Sequence, residues 1–173
     1  MSIAQALMAE LDEQAPLTRK FLERLPEERM GWKPHQRSLT AGQLALHLAQ
    51  VPGAVAQLVR ENPAQIPGIG GPTTQPATVD EILRAHDAGV VAARQELAQH
   101  NDAAMSQVWH LQVDGRDLLA MPRGKFLRDI MLNHWYQHRG QFSIYLRMLN
   151  IPVPSTWGPS ADEAPAFIQK QTA

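Results

Sequence analysis

The chain has 173 residues, 44% of them hydrophobic, enough for one sizeable core and short for two, so a single domain over 1–173 is expected. Its 16 lysines and arginines against 17 aspartates and glutamates, with no basic run, give no electrostatic footprint for nucleic acid. The absence of cysteine excludes disulfides, thiolate metal ligands and a cysteine nucleophile, so any metal must be held by His, Asp or Glu.

The N-terminus, MSIAQALMAELDEQ, carries early acids and no cationic start. No apolar stretch approaches the roughly 18 residues that span a bilayer, so a soluble, cytoplasmic protein off the membrane is expected. Residues 2–25 place Ile3, Leu7, Leu11, Leu17, Phe21 and Leu25 near a helical period, with Ser2 available as N-cap. Pro16 removes one backbone hydrogen bond and is expected to bend or break this first helix. After the turn region LPEERMGWKP, Thr40 and Gln43 form a capping box ahead of a second stripe: Leu44, His47, Leu48, Val51, Val55 and Leu58. From Glu61 to Ala77 the chain is rich in Pro and Gly, too irregular for an element and long enough to cross over the body. Thr78 and Glu81 make a second capping box, and Val79, Ile82, Val90, Ala93 and Leu97 form the inward side of helix three.

In QVWHLQVDGRDLLAM, Trp109, Leu111 and Val113 alternate with polar residues up to Asp114-Gly115, which predicts a short hairpin or extended flap. Gly124 to Leu149 is periodic throughout and predicts one helix of about 39 Å. It ends at Asn150, before a Pro-rich tail (152–173) expected to pack on the body. The pattern is that of an all-α protein, a four-helix bundle with a short extended insertion between helices three and four.

Seven histidines are present. His35, His100 and His110 fall at a turn, a helix end and a strand, where a solvated or locally bonded imidazole is ordinary. His134 and His138, at i and i+4, share one helix face and can converge on one ion at about 2.0–2.1 Å. That spacing alone fits a surface pair, or two core histidines satisfied by neighbours, more readily than a metal site. Leu127, Ile130 and Met131 before the pair, and Gln141 and Tyr145 after it, turn it toward the core. His47 lies in the apolar stripe of helix two, where a buried imidazole needs a partner. If the three meet, they form a three-nitrogen site with an open position, suited to Zn²⁺ or Ni²⁺ first and Fe²⁺ or Mn²⁺ next. His86, one turn from Ile82 and Val90, is the rival for a fourth member.

RSLTAGQLALHLAQ (37–50), HWYQHRGQFSIYLRMLNIPVP (134–154) and STWGPSADE (155–163) resemble the DinB/YfiT-like superfamily of metalloenzymes, as does LPEERMGWKP (25–34). The resemblance covers nearly the whole chain in order, with H-x-x-x-H-R-G-Q and the downstream G-P-S-A-D as its most specific part. It implies a four-helix bundle, commonly dimeric, with one divalent ion held by His47, His134 and His138. For some relatives it implies a thiol-dependent transferase or isomerase. The small-molecule co-substrate is then a low-molecular-weight thiol, which a chain without cysteine cannot supply itself. Two alternatives stand beside it: a metal-binding or ligand-binding homodimer without turnover, with Ile144 or Leu146 on the paired faces, and a metal-dependent hydrolase.

Asp129, Asp162 and Glu163 are candidate carboxylates for orienting the imidazoles, none singled out. Trp135 and Tyr136 point away from the pair and read as packing or dimer contacts. Trp157 either covers the open end of the site or docks the tail, the second being the more ordinary. GIGG (68–71) is too short to cradle a phosphate, and no nucleophilic serine motif or general base stands out.

Overall fold

Ser2 opens helix α1 (Ile3–Leu22) with a capping box. Its hydroxyl accepts the Gln5 N–H at 3.2 Å while the Gln5 side chain accepts the Ser2 N–H at 2.8 Å, so two donors at the helix start are satisfied reciprocally. In this computed structural model, which describes residues 1–68, 74–165 and 168, α1 continues through Pro16, contrary to the expected break. Leu11 and Ala15 before the proline and Phe21 and Leu22 after it are buried in one core, and that packing carries the helix across the missing bond.

Thr40 and Gln43 cap helix α2 (Ala41–Leu58) reciprocally, at 3.1 and 3.0 Å. Leu44, Leu48, Val51 and Val55 point into the core as the stripe predicts. Helix α3 (Val79–Leu97) has half of its expected box: the Thr78 hydroxyl accepts the Glu81 N–H at 3.1 Å, but the Glu81 carboxylate accepts from Ala77. Helices α2 and α3 approach closely where Gly53 meets Gly89. A Cβ on Gly53 would stand 2.8 Å from the Gly89 Cα, so only glycine permits this contact.

The segment after α2 is not wholly irregular. Strand β1 (Ala64–Gln65) pairs in parallel with β2 (Val108–Val113), Ala64 opposite Leu111. Asn62 ties the two segments: its amide donates to the Val108 carbonyl at 3.1 Å and its oxygen accepts the His110 N–H at 3.0 Å. The Trp109 indole donates to the Glu61 carbonyl at 2.7 Å. Residues 69–71 of the GIGG stretch lie outside the described residues. A short helix α4 (Asp102–Ser106), capped by Asn101, precedes β2 and was not evident from periodicity.

The predicted hairpin is present: β2 and β3 (Arg116–Pro122) pair antiparallel around Asp114 (φ 50°) and Gly115 (φ 73°), the two positive φ values of a type I′ turn. Trp109 is fully buried against Phe126, ring centroids 4.2 Å apart. The all-α expectation is therefore corrected. The fold is mostly helical with a three-stranded sheet in the order β1-β2-β3.

The last helical segment differs from a plain α-helix. Helix α5 (Arg123–Phe126) passes into a π-helical stretch over Leu127–Asn133 and then into α6 (His134–Met148). The wider turn brings Leu127 and Leu132, five apart, to the buried side, together with Met131. Asn150 (φ 59°) ends the segment in the left-handed region, as an amide side chain at a helix end often does. The tail then folds back. Asp162 pairs with Arg147 and accepts the Val153 N–H, while Glu163 pairs with Arg24. Among the described residues, no helix is long and apolar enough to cross a membrane.

Candidate metal centre

Packing of α2 against α6 and the π-helical stretch brings His47 to the pair on α6. One ring nitrogen from each of His47, His134 and His138 lies within 4.8 Å of the other two, and all three residues are half-buried. The Nε2 of His138 is central, 2.6 Å from the Nε2 of His134 and 3.1 Å from that of His47. Its Nδ1 is 2.8 Å from the Gln141 Oε1.

Hydrogen-bond logic assigns the tautomers. An amide oxygen only accepts, so the His138 Nδ1 carries its proton and the Nε2 of the neutral ring is the acceptor for both other imidazoles. His134 then holds its proton on Nε2, leaving its Nδ1 unprotonated. That atom is buried without a hydrogen-bond partner.

The orphan tests whether an ion fits. If all three Nε2 atoms turn to a cation, the His134 proton moves to Nδ1, and the Ile130 carbonyl, which acts on this ring, favours a protonated nitrogen on it. The buried atom thereby gains a donor role. The π-helical register contributes, because the His134 N–H bonds back to Asp129 and leaves its usual acceptor, the Ile130 carbonyl, to other donors.

Protonation state agrees. Burial, reinforced by His138 and His134, pushes the His47 imidazole down to about 4. Burial and His138 also lower His134, with the Ile130 carbonyl opposing. Both are neutral at pH 7, the ligating form. Tetrahedral coordination at about 2.0–2.1 Å spaces nitrogens about 3.3 Å apart. The two contacts of the His138 Nε2, at 2.6 and 3.1 Å, are thus shorter than those of such a ligand set.

On its outer side the cluster opens into a cleft of about 320 Å³ lined by Ser38, Leu39, Leu44, His138, Gln141 and Tyr145. The Tyr145 hydroxyl donates to the Leu39 carbonyl at 3.1 Å, tying α6 to the loop before α2.

The other candidates lie elsewhere. His86 does not join: its ring stacks on Trp135 at 6.3 Å and its Nδ1 is 3.1 Å from Asp87. Asp129 pairs with Lys125, while Asp162 and Glu163 fasten the tail, so none of the three carboxylates orients an imidazole. Trp157 borders a cleft with Glu13, Leu17 and Lys20 of α1, away from the imidazoles, and is 55% exposed. His35, His100 and His110 are locally bonded, to the Arg37 N–H, Glu96 and Asp117. Trp135 and Tyr136 pack as expected, the indole donating to the Leu48 carbonyl and the phenol to Glu10. Leu146 is buried, which removes it from any paired outer face, whereas Ile144 is 58% exposed. Gln141, placed by its spacing on the face of the pair, is exposed rather than turned to the core, and its bond to His138 is a contact that the spacing allowed but did not single out.

The opposite face of α6 is structural. Arg139 is buried, donating to Gln14 at 2.8 Å and Thr18 at 3.2 Å, with its guanidinium over the Tyr136 ring. Glu10 accepts from both Tyr136 and Arg128.

Comparison with known proteins places the chain in a family. The DinB family model matches residues 1–170, and the chain belongs to the DinB family. It is 26% identical over 157 residues to the uncharacterized protein YrdA of Bacillus subtilis (strain 168), covering 89% of this chain and 87% of that one. The fold is similar to the crystal structure of a DinB-like protein from Bacillus cereus ATCC 10987 (TM-score 0.66, 21% identity, 88% of this chain and 97% of that one). It is also similar to a DinB-like protein, YjoA, from Bacillus subtilis (TM-score 0.62, 15% identity, covering 91% and 98%).

Proposed function

We propose that this protein is a divalent-metal-dependent enzyme that holds its ion with His47, His134 and His138 and uses a low-molecular-weight thiol as co-substrate, as a transferase or isomerase on a small molecule. One observation carries the reading: three imidazoles converge beside an open cleft, and among the described residues no carboxylate joins their group. A divalent ion there supplies Lewis acidity, lowering the pKa of a thiol or a water. A thiol starts near about 8.5 and water near about 15.7, so a site without a grouped carboxylate to act as base suits the thiol. An all-nitrogen set of neutral rings favours Zn²⁺ or Ni²⁺ over Fe²⁺ or Mn²⁺.

In this reading the chain's own residues divide the work. His47, on a separate element, fixes where the ion sits relative to the i,i+4 pair. Leu39 and Leu44 exclude water from one side of the cleft, and Ser38 and Gln141 present polar atoms to its occupant. The long helices form a four-helix bundle, a cytoplasmic homodimer forms through the face carrying Ile144, and small molecules rather than nucleic acids or membranes are the partners.

The test begins with elemental analysis of protein purified without a His-tag or added metal. About one equivalent of a divalent ion is expected, together with metal-dependent consumption of thiol in the presence of an electrophile. Metal-free protein that takes up no divalent ion on titration, or a His138→Ala variant with unchanged metal content, would overturn the reading.

A further inference from the structure

We infer that Gln141 serves the centre twice: its carbonyl oxygen positions His138, and its amide N–H₂ is the donor that selects a small, uncharged ligand bearing a hydrogen-bond acceptor. This deepens the reading above and rests on it.

The first role follows from geometry. The 2.8 Å contact from the His138 Nδ1 to the Gln141 Oε1 holds the proton on Nδ1 and leaves Nε2 as the lone-pair donor, the tautomer a metal ligand requires. His138 is also the hub of the cluster, with both other imidazoles within 3.1 Å of its Nε2. Orienting this one ring therefore orients the point on which the others converge.

The second role follows from what remains. Once Oε1 accepts from His138, the same amide necessarily presents its two N–H donors away from that ring, and Gln141 is exposed and lines the cleft. The Tyr145 hydroxyl is engaged with the Leu39 carbonyl. Gln141 and Ser38 are thus the lining side chains with polar groups to offer. Among the described residues no Lys, Arg, Asp or Glu lines the cleft, while Leu39 and Leu44 supply apolar wall. A charged group beyond reach of the ion would lose solvation without gaining a counter-charge from the chain, whereas a neutral acceptor there gains a donor. At about 320 Å³ the cleft sits at the small end of ligand sites.

The experiment uses the full chain with cobalt(II) as probe metal, followed by absorption, and N-acetylcysteamine, a neutral thiol with an amide acceptor, as probe ligand. Gln141→Leu is expected to weaken cobalt binding about 10–100-fold. Its metal-free Tm should be unchanged, since the side chain is exposed. Gln141→Glu, whose carboxylate still accepts from Nδ1–H, is expected to restore cobalt affinity. Lacking the N–H₂, it should bind N-acetylcysteamine about tenfold more weakly than wild type, read by the change in cobalt absorption. For wild type, 5-mercaptopentanoate, whose carboxylate lies too far from its sulfur to chelate the same ion readily, is expected to bind more weakly than N-acetylcysteamine. Cobalt binding by Gln141→Leu equal to wild type overturns the positioning role. Equal N-acetylcysteamine binding by Gln141→Glu, or tighter binding of 5-mercaptopentanoate by wild type, overturns the selecting role. Failure of wild type to bind cobalt at all is the separate outcome that defeats the metal reading itself.

Discussion

His138 and Arg139 are adjacent in the chain and face opposite fates. His138 turns outward to a cluster of imidazoles and an open cleft, while Arg139 is buried with Gln14, Thr18 and the Tyr136 ring. The two should separate experimentally. Alanine at His47, His134 or His138 is expected to lower bound metal below half an equivalent by elemental analysis, with little loss of stability in the metal-free protein. Arg139→Ala leaves a cavity and strands the Gln14 and Thr18 acceptors, and is expected to cost about 2–4 kcal/mol in urea denaturation while metal stoichiometry stays at wild-type level. At this scale the three histidines were legible because each stands where packing asks for an apolar side chain. Gln141 was not, because a polar residue on an exposed helix position is ordinary until its partner is known.

The same contrast recurs among the elements. Helices α1, α2 and α3 could be read from capping residues and apolar spacing, since both signals are local. Strand β1 could not, for it is two residues long and exists through pairing with Leu111 and Gln112 and the Asn62 bridge. The π-helical stretch was equally hidden. Apolar residues at 127, 131, 132 and 135 suit an i→i+4 or an i→i+5 ladder, and the choice falls to tertiary packing. Pro16 failed as a helix breaker for a related reason: burial on both sides outweighed one lost bond. The Gly53–Gly89 crossing gives an element-scale test. Gly53→Ala puts a methyl 2.8 Å from the Gly89 Cα and must push α2 and α3 apart, at an expected cost of about 1–3 kcal/mol in thermal or urea unfolding.

For the whole molecule, the buried imidazoles set how stability responds to acid. His47 is held at about 4, and His86 is also lowered by burial against the opposing Asp87, while an unfolded histidine titrates near about 6.5. Between those values the unfolded chain binds more protons than the folded one, so acid favours unfolding. Stability of the metal-free protein should be full above about pH 6.5 and fall as pH drops toward 4. His47→Gln should flatten that slope, and urea midpoints across the range are the check. The wide separation of the ligands along the chain has another consequence. His47 and His138 are 91 positions apart in a chain of 173, so an ion bridging them would close just over half the polypeptide into a ring. In a protein with no sulfur crosslinks, the ion would be the one fastening that chemistry can tie and untie. At a free concentration 100 times its Kd it would add about 2.7 kcal/mol to the folded state. Chelation would then loosen the fold as well as silence the site, and melting with and without a chelator should show a lower Tm for wild type and no change for His138→Ala.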